Sequence, residues 1–576
     1  MAETGAVNQH SLLGLPAELL LHVLTYLEPL DLAGTARTCR ALYAHGYDDQ
    51  IWQSIVNRNL PVPASEPTPL KTFRDLYVAH HPHWFLPRNR IWFSDSEPSG
   101  KLVVARYDPR RGCIEAYAVV AQRGPHTIEF WEKDRGVIIH SFNPRISLAL
   151  DQPVLKLDVD SPRTNDARNN NPSDRGYAPP SCYSKEILME TFADAGLYSS
   201  YMLCRTLPEA AIGAQTRVWP PLRLPAQTRV RNDSADGYNS LGHRPTRLDE
   251  VSQHNFRLRK WVEYTGRRSG PMSFHSPNNL SAALGMNGPY FAAGLTSSER
   301  GGMSIRMPED ITTFATLPES AYMPTADKPW QGIWCGDYSG HGCEFFVILQ
   351  PDKQDERPLP EGMDWLRQWF RGGRRGSSSS ASSYASAQED IDYAEAAGEH
   401  WQAASNADMT AASSSAPQTF RQLVASEVLG GFTETPVGDA DAPAAHETDY
   451  KDVPSGRIEA IKLTGDPNIP RGEYTFIAPD IGHGGFMRVA DEEIFRGARV
   501  VRGAGHIAGR GFQEGNVHSM SNVSKSTCTN APKDQYTPSQ LIMISHDRVA
   551  QFWEGFGHIS YYQRVDLDAL MKYGLA

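Results

Sequence analysis

Residues 15–55, LPAELLLHVLTYLEPLDLAGTARTCRALYAHGYDDQIWQSI, decide how the chain begins to fold. Leu15, Leu19, Val23 and Leu27 recur at four-residue steps with Leu20 and Leu24 beside them, which draws a broad apolar stripe along successive helical turns. Pro16 suits a first helical turn, where its missing N–H would have been an orphan. Asp31 is placed as the N-cap of a second periodic run through Leu32, Thr35, Ala36, Cys39, Leu42 and Tyr43. A third short element carries Ile51, Trp52 and Ile55. Short helices of this kind cannot cover so much apolar surface alone, so a partner or another domain must lie against them.

From about Trp84 the period changes from helical to strand-like. Ile91–Phe93, Leu102–Tyr107, Cys113–Val120, Thr127–Trp131 and Val137–Phe142 are short, rich in Val, Ile and aromatics, and separated by turn residues. Runs of the same type recur at Gly332–Trp334, Cys343–Gln350, Arg457–Thr464, Gly472–Ile477, Gly485–Val489, Arg499–Arg502, Gln540–Ser545, Gln551–Glu554 and Ile559–Val565. Many strands without intervening long helices predict an antiparallel barrel or sandwich, and closure would remove exposed edges. Three stretches interrupt the pattern. Ser161–Ser181 is a polar loop, about 208–300 reads as long connections with a short helix near Val251–Val262, and about 352–453 is an acidic Ser/Ala-rich insert too poor in apolar residues to fold. The insert would hold at most a short helix at Met363–Phe370, and about Glu514–Asp534 has the same character.

Composition narrows the function classes. The 576 residues are 40% apolar and 10% aromatic, enough for more than one folded unit. Of the net charge of -11, residues 351–453 supply most, with 18 acidic against 8 basic side chains. The remainder is nearly neutral, which argues against nucleic-acid binding. No long apolar run predicts a membrane span, and the N-terminus lacks a basic region before its apolar part, so the expected location is intracellular, cytoplasmic or nuclear. Seven scattered cysteines with no C-x-x-C pair read as reduced thiols. No nucleophile elbow, H-E-x-x-H, Walker A or dinucleotide glycine pattern is present, and no cofactor or metal is expected. Cys335, His341 and Cys343 lie close together but lack a credible fourth ligand.

The order Leu15-Pro16, Glu18-Leu19-Leu20, Val23-Leu24, Leu27, Asp31-Leu32, Cys39-Arg40 and Ile51-Trp52 resembles the F-box. That resemblance implies docking on the Skp adaptor of a Skp–cullin–F-box ubiquitin ligase through Leu15, Pro16, Leu19, Leu20, Val23, Leu24, Leu27, Leu32, Ile51 and Trp52. Gly332-Ile333-Trp334, Gly336-Asp337-Tyr338, His341-Gly342, Thr464-Gly465-Asp466-Pro467-Asn468-Ile469-Pro470, Ala508-Gly509-Arg510-Gly511-Phe512, Thr537-Pro538 and Ser560-Tyr561-Tyr562-Gln563-Arg564-Val565 resemble the C-terminal domain of the cyclin-D-binding F-box proteins. That family's domain is a lipocalin-like β-barrel that receives a substrate's peptide end. The expected fold class is therefore α+β: an F-box at 11–60, a linker with helical sequence at 61–83, and a β-barrel over 84–350 and 454–576, interrupted by the disordered insert. The expected role is substrate-recognition subunit, non-catalytic, bound to Skp and through it to cullin. An intracellular barrel that scaffolds or binds a small ligand is the alternative.

Within the barrel, Asp466 sits in a turn and is either a rigid corner or a carboxylate at the mouth that accepts hydrogen bonds from a target's backbone or terminal amide. His341, beside Trp334 and Tyr338, is either a pocket histidine with aromatic walls or a turn residue between glycines. Arg510 and Arg548 are either carboxylate-binding forks or exposed loop arginines. Trp553 is assigned to the barrel core.

Overall fold

The computed structural model describes residues 12–574 apart from 97–98, 126, 160–182, 190–196, 214–216, 233–241, 266–293, 298–302, 307–309, 339–341, 361, 364, 367–453, 467–468 and 508–534. The chain divides into a large unit, Met1–Asp364 with Gly456–Ala576, and a second, Trp365–Ser455, described only at its ends. The polar loop, the smaller insert and most of the larger one fall outside the described residues; of the larger insert, 352–360 are described without helix or strand, and within 363–370, Trp365 and Leu366 are helical.

Four helices open the chain: α1 (Ala17–Leu24), α2 (Pro29–Ala36), α3 (Arg40–Gly46) and α4 (Asp49–Asn57). Pro29 presets the helical φ, so α2 starts after Glu28 and Asp31 lies inside its first turn instead of capping it. The carboxylate still faces the positive end of the helix. The run expected to continue through Tyr43 breaks at Cys39, whose Sγ accepts the Leu42 N–H at 3.5 Å and caps α3. Gly46 lets α2 and α3 approach, because a Cβ there would sit 2.8 Å from that of Ala36. Asp48 caps α4 by accepting the Gln50 N–H at 2.9 Å. Two further helices, α5 (Phe73–His80) and α6 (Phe85–Asn89), lead into the strands.

The strands fall into two large sheets. In the first, Gly294–Ser297, Met303–Arg306, Val251–Thr265, Asp310–Ala315, Ile91–Ser94, Leu102–Asp108, Cys113–Gln122 and Arg145–Leu157 follow one another in space. Leu197–Arg205 also pairs with Val251–Thr265, and Ile187–Met189 lies beyond it. The helix expected near Val251–Val262 is therefore a correction: the segment is a long strand. Phe256, Leu258 and Val262 alternate with Arg257 and Arg259, a period of two that buries both faces. The arginines tolerate burial because Arg257 donates to the carbonyls of His243 and Arg231, and Arg259 meets Glu186 at 3.1 Å.

The inner face of this sheet and the helices share one core. Leu20, Leu24, Leu32, Ile51 and Trp52 join Phe73, Trp84, Trp92, Val103, Ile114, Leu155, Tyr201, Phe256 and Phe314 in a continuous cluster. Another part of the same chain thus covers much of the apolar surface on α1–α4.

The second sheet closes into a barrel of eight antiparallel strands: Gly332–Asp337, Cys343–Leu349, Ile458–Lys462, Tyr474–Ala478, Arg499–Ile507, Gln535–Met543, Arg548–Trp553 and His558–Arg564. The last pairs with the first through Trp334↔Arg564 and Gly336↔Tyr562. The long insert interrupts a hairpin whose ladder, Phe346↔Lys462 through Leu349↔Glu459, forms nonetheless. Among the described residues before 150, only the strands Ile128–Phe130 and Ile138–His140 attach to this sheet. The meander read as the start of the barrel otherwise belongs to the first sheet. Gly505 allows the Trp553 indole to lie across the barrel wall, since a Cβ there would come within 2.1 Å of its ring. Among the described residues, no helix is long and apolar enough to cross a membrane.

Candidate functional site

Helix α1 is amphipathic in an unusual sense, because both its faces carry leucine. Leu20 and Leu24 are buried, at 3% and 1% exposure, while Leu15, Leu19 and Val23 are exposed, Leu19 at 53%. Tyr26 and Leu30 extend the open row, Pro16 is exposed beside it, and Leu27 is half-buried against the core. Leu32, Ile51 and Trp52 belong to the core, and the Trp52 indole N–H donates to the Gly46 carbonyl at 3.0 Å. Of the ten residues expected on one contact face, the structure leaves Leu15, Pro16, Leu19 and Val23 open and Leu27 half-buried, and assigns Leu20, Leu24, Leu32, Ile51 and Trp52 to the frame that holds them.

The barrel interior changes character along its axis. At one end Trp334, Ile348, Ile458, Ala478, Val501, Leu541 and Val549 fill it. Toward the other end the inward positions become polar. Lys462, fully buried, holds Asp466 at 2.7 Å, and its ammonium sits 3.1 Å from the centre of the Tyr338 ring. The Tyr338 hydroxyl lies 3.0 Å from that of Thr475. Thr464 donates its hydroxyl to Glu344 at 2.5 Å while accepting the Phe345 N–H at 2.8 Å. Tyr562 donates to Gln551 at 2.8 Å, and Gln551 donates to Ser539 at 3.1 Å. Burial raises the Glu344 carboxyl to about 7, against the pull of Lys462 and Thr464. Burial likewise raises Tyr338 and Tyr562 well above the ordinary tyrosine range. Such a cluster can offer a paired cation, carboxyl groups and hydroxyls to a polar group entering from that end.

Residues 12–58 match the F-box-like family model, and residues 314–569 match the Cyclin D1 binding domain model. The chain is a cyclin-D-binding F-box protein. No curated protein matches it. The F-box match spans α1–α4, and the cyclin D1 binding domain contains the whole closed barrel.

Within the cyclin D1 binding domain the expected site residues separate. Tyr338 and Asp466 meet at Lys462. Asp466 is itself buried: its second oxygen accepts the Ile469 N–H at 2.9 Å and its own N–H donates to the Ile469 carbonyl at 3.1 Å, the geometry of a rigid corner. Trp334 belongs to the apolar cluster of the barrel, and its indole N–H donates to the Trp330 carbonyl at 3.0 Å. Arg548 faces outward, donates to the Phe142 carbonyl at 3.0 Å and covers the Tyr561 ring at 4.8 Å. It fastens a neighbouring segment to the barrel wall. His341 and Arg510 lie outside the described residues. Trp553 is buried over Gly505, as expected of barrel core.

Sequence reading passed over Glu344, Lys462 and Thr475. The signal was available. Glu344 precedes Phe346 and Ile348 at a spacing of two, and Lys462 follows Ile458 and Ala460 at the same spacing, so both charges fall on the inward face of their strands.

Proposed function

We propose that this F-box protein is the substrate-recognition subunit of a Skp–cullin–F-box ubiquitin ligase: the F-box docks the Skp adaptor, cullin joins through it, and the barrel holds the protein to be modified. The observation that carries this reading is the open row of Leu15, just ahead of α1, with Leu19 and Val23 on it, a helix whose other leucines are spent on the chain's own core. An apolar row rimmed by polar helix surface is what an obligate partner covers. The barrel's polar end offers a target the complementary surface. A peptide end suits it, because a terminus can enter a barrel end-on and satisfy buried polar groups along its backbone. The cyclin D1 binding domain makes a D-type cyclin the first target to try. Ubiquitin transfer itself belongs to other subunits; this chain supplies proximity and orientation.

Co-purification of the full chain with the Skp adaptor tests the reading. The natural chain retains the adaptor, and Leu19→Asp with Val23→Asp releases it while leaving the unfolding midpoint in place. Adaptor retained by that double variant, or absent from the natural chain, would overturn the assignment. Target capture is read separately: the chain with Leu19→Asp and Val23→Asp should hold stabilised targets that Tyr338→Ala loses.

A further inference from the structure

We propose that Cys343 and Cys335 form a hydroperoxide-sensitive thiol pair, with Cys343 the sulfur attacked and Cys335 the sulfur that closes on it as a disulfide. The two lie on the first hairpin of the barrel, where Asp337 pairs with Cys343 and Cys335 with Phe345. Trp334, Glu344 and Phe346 face inward, so both cysteines occupy the outer face, one step apart along the ladder. The register sets the two side chains diagonally across the hairpin on that face. Each thiol acts on the other, which lowers the Cys343 thiol and raises that of Cys335. Arg123, which meets Asp337 at 2.6 Å, adds positive charge beside Cys343 and offsets the aspartate. Cys343 is half-exposed and Cys335 buried.

The other described cysteines make the contrast. Burial pushes the Cys113 thiol up to about 12 and that of Cys204 up to about 11, and Cys39 caps α3. An accessible thiol with a lowered pKa beside a resolving thiol is the arrangement peroxide sensors use.

The chemistry balances with hydrogen peroxide as oxidant. The Cys343 thiolate attacks one peroxide oxygen, an S–O bond forms as the O–O bond breaks, and the departing hydroxide takes a proton to become water. Cys335 sulfur then attacks the sulfenic sulfur. An S–S bond forms, the S–O bond breaks, and the Cys335 proton leaves with the hydroxide as a second water. The two sulfurs together lose two electrons, and a dithiol returns them. The product staples the hairpin that carries Tyr338, whose N–H donates to the Gly342 carbonyl at 3.0 Å between the two cysteines.

The test uses the reduced full chain, titrated with hydrogen peroxide and read by peptide mass spectrometry. The expected product is a Cys335–Cys343 cross-link that dithiothreitol reverses, with slower hydrogen exchange at the Tyr338 amide. Cys335→Ser should stop at a sulfenic acid on Cys343, trapped by a dimedone-type probe, and Cys343→Ser should leave Cys335 unreacted at the same peroxide level. Both variants should unfold at the natural midpoint, as expected for so small a change. Free thiols at both positions after titration would overturn the proposal, as would sulfenic acid on the natural chain without the cross-link. These readouts need no target, so they stand apart from the ligase assignment.

Discussion

Helix α1 of the F-box leaves leucine and valine in water, whereas the barrel takes lysine, aspartate and glutamate out of it. Each region inverts the usual partition of side chains, and each inversion has a different cost. Leu19, Val23 and Leu30 in solvent forfeit burial free energy but break nothing. Lys462, Asp466 and Glu344 inside the barrel persist only because each charge or carboxyl meets a partner at hydrogen-bond distance. The open face can therefore be altered without harm to the fold, and the buried cluster cannot.

The largest effect should come from the buried pair. Lys462→Met leaves Asp466 an uncompensated charge, and chemical denaturation should report a loss of roughly 3–5 kcal/mol. Adding Asp466→Leu should recover part of it; no recovery would mean that Lys462 contributes through the Tyr338 ring and not through the ion pair. Next comes the hidden side of α1. Leu24→Ala should cost about 2–5 kcal/mol, because its neighbours in the shared helix–sheet core cannot close fully over the cavity. A cost below about 1 kcal/mol would show that the helices do not depend on the first sheet.

A smaller effect is pH-dependent. The Glu344 carboxyl moves from about 4.5 to about 7 on folding, so the folded state holds a proton that the unfolded chain releases. Its contribution to stability is complete below about 4.5 and is lost as pH rises through about 7. Asp95, raised by burial to about 6, acts in the same direction. His80, His254 and His558, each lowered by burial to about 4, act in the opposite one, weakening the fold as pH falls from about 6.5. Glu344→Gln keeps an acceptor for Thr464 and removes one titration. Relative to the natural chain it should gain on the order of 1–3 kcal/mol between pH 4.5 and pH 8, measured by denaturant unfolding across that range. Parallel profiles for the two chains would mean that Glu344 is ionised in the folded protein. The smallest effect on stability belongs to the open face: Leu19→Asp should shift unfolding by no more than about 0.5 kcal/mol. A larger loss would place Leu19 in the core and close the contrast from which the comparison starts.

Much of this was legible in the sequence. Four-residue spacing from Leu15 to Leu27 announced a helix with excess apolar surface, and the later runs from Gly332 to Val565 correspond to barrel strands except Gly485–Val489, whose strand Phe486–Val489 pairs with Arg499–Ile507 outside the closed ring. The long strand at Val251–Thr265 was not legible as one, because its buried arginines resemble a charged helix face until Glu186 and the carbonyls of Arg231 and His243 are seen beside them. Arg145–Leu157 was also missed, for it carries Pro153 and an irregular register against Cys113–Gln122. At the polar end of the barrel Tyr338 and Asp466 were named from the sequence, while Glu344 and Lys462, which hold them together with Thr464, sat unremarked inside apolar strands.

Sequence alone determined the local elements and their chemistry, since helical and strand periods, turn residues and caps act between neighbours only a few positions apart. Tertiary structure decided which leucines of α1 face the first sheet and which remain free, how the strands divide between two sheets, and that Lys462, Asp466 and Tyr338 meet. Those outcomes depend on contacts between residues far apart in the chain, where the balance of desolvation and pairing is set by what each side chain finds across the fold.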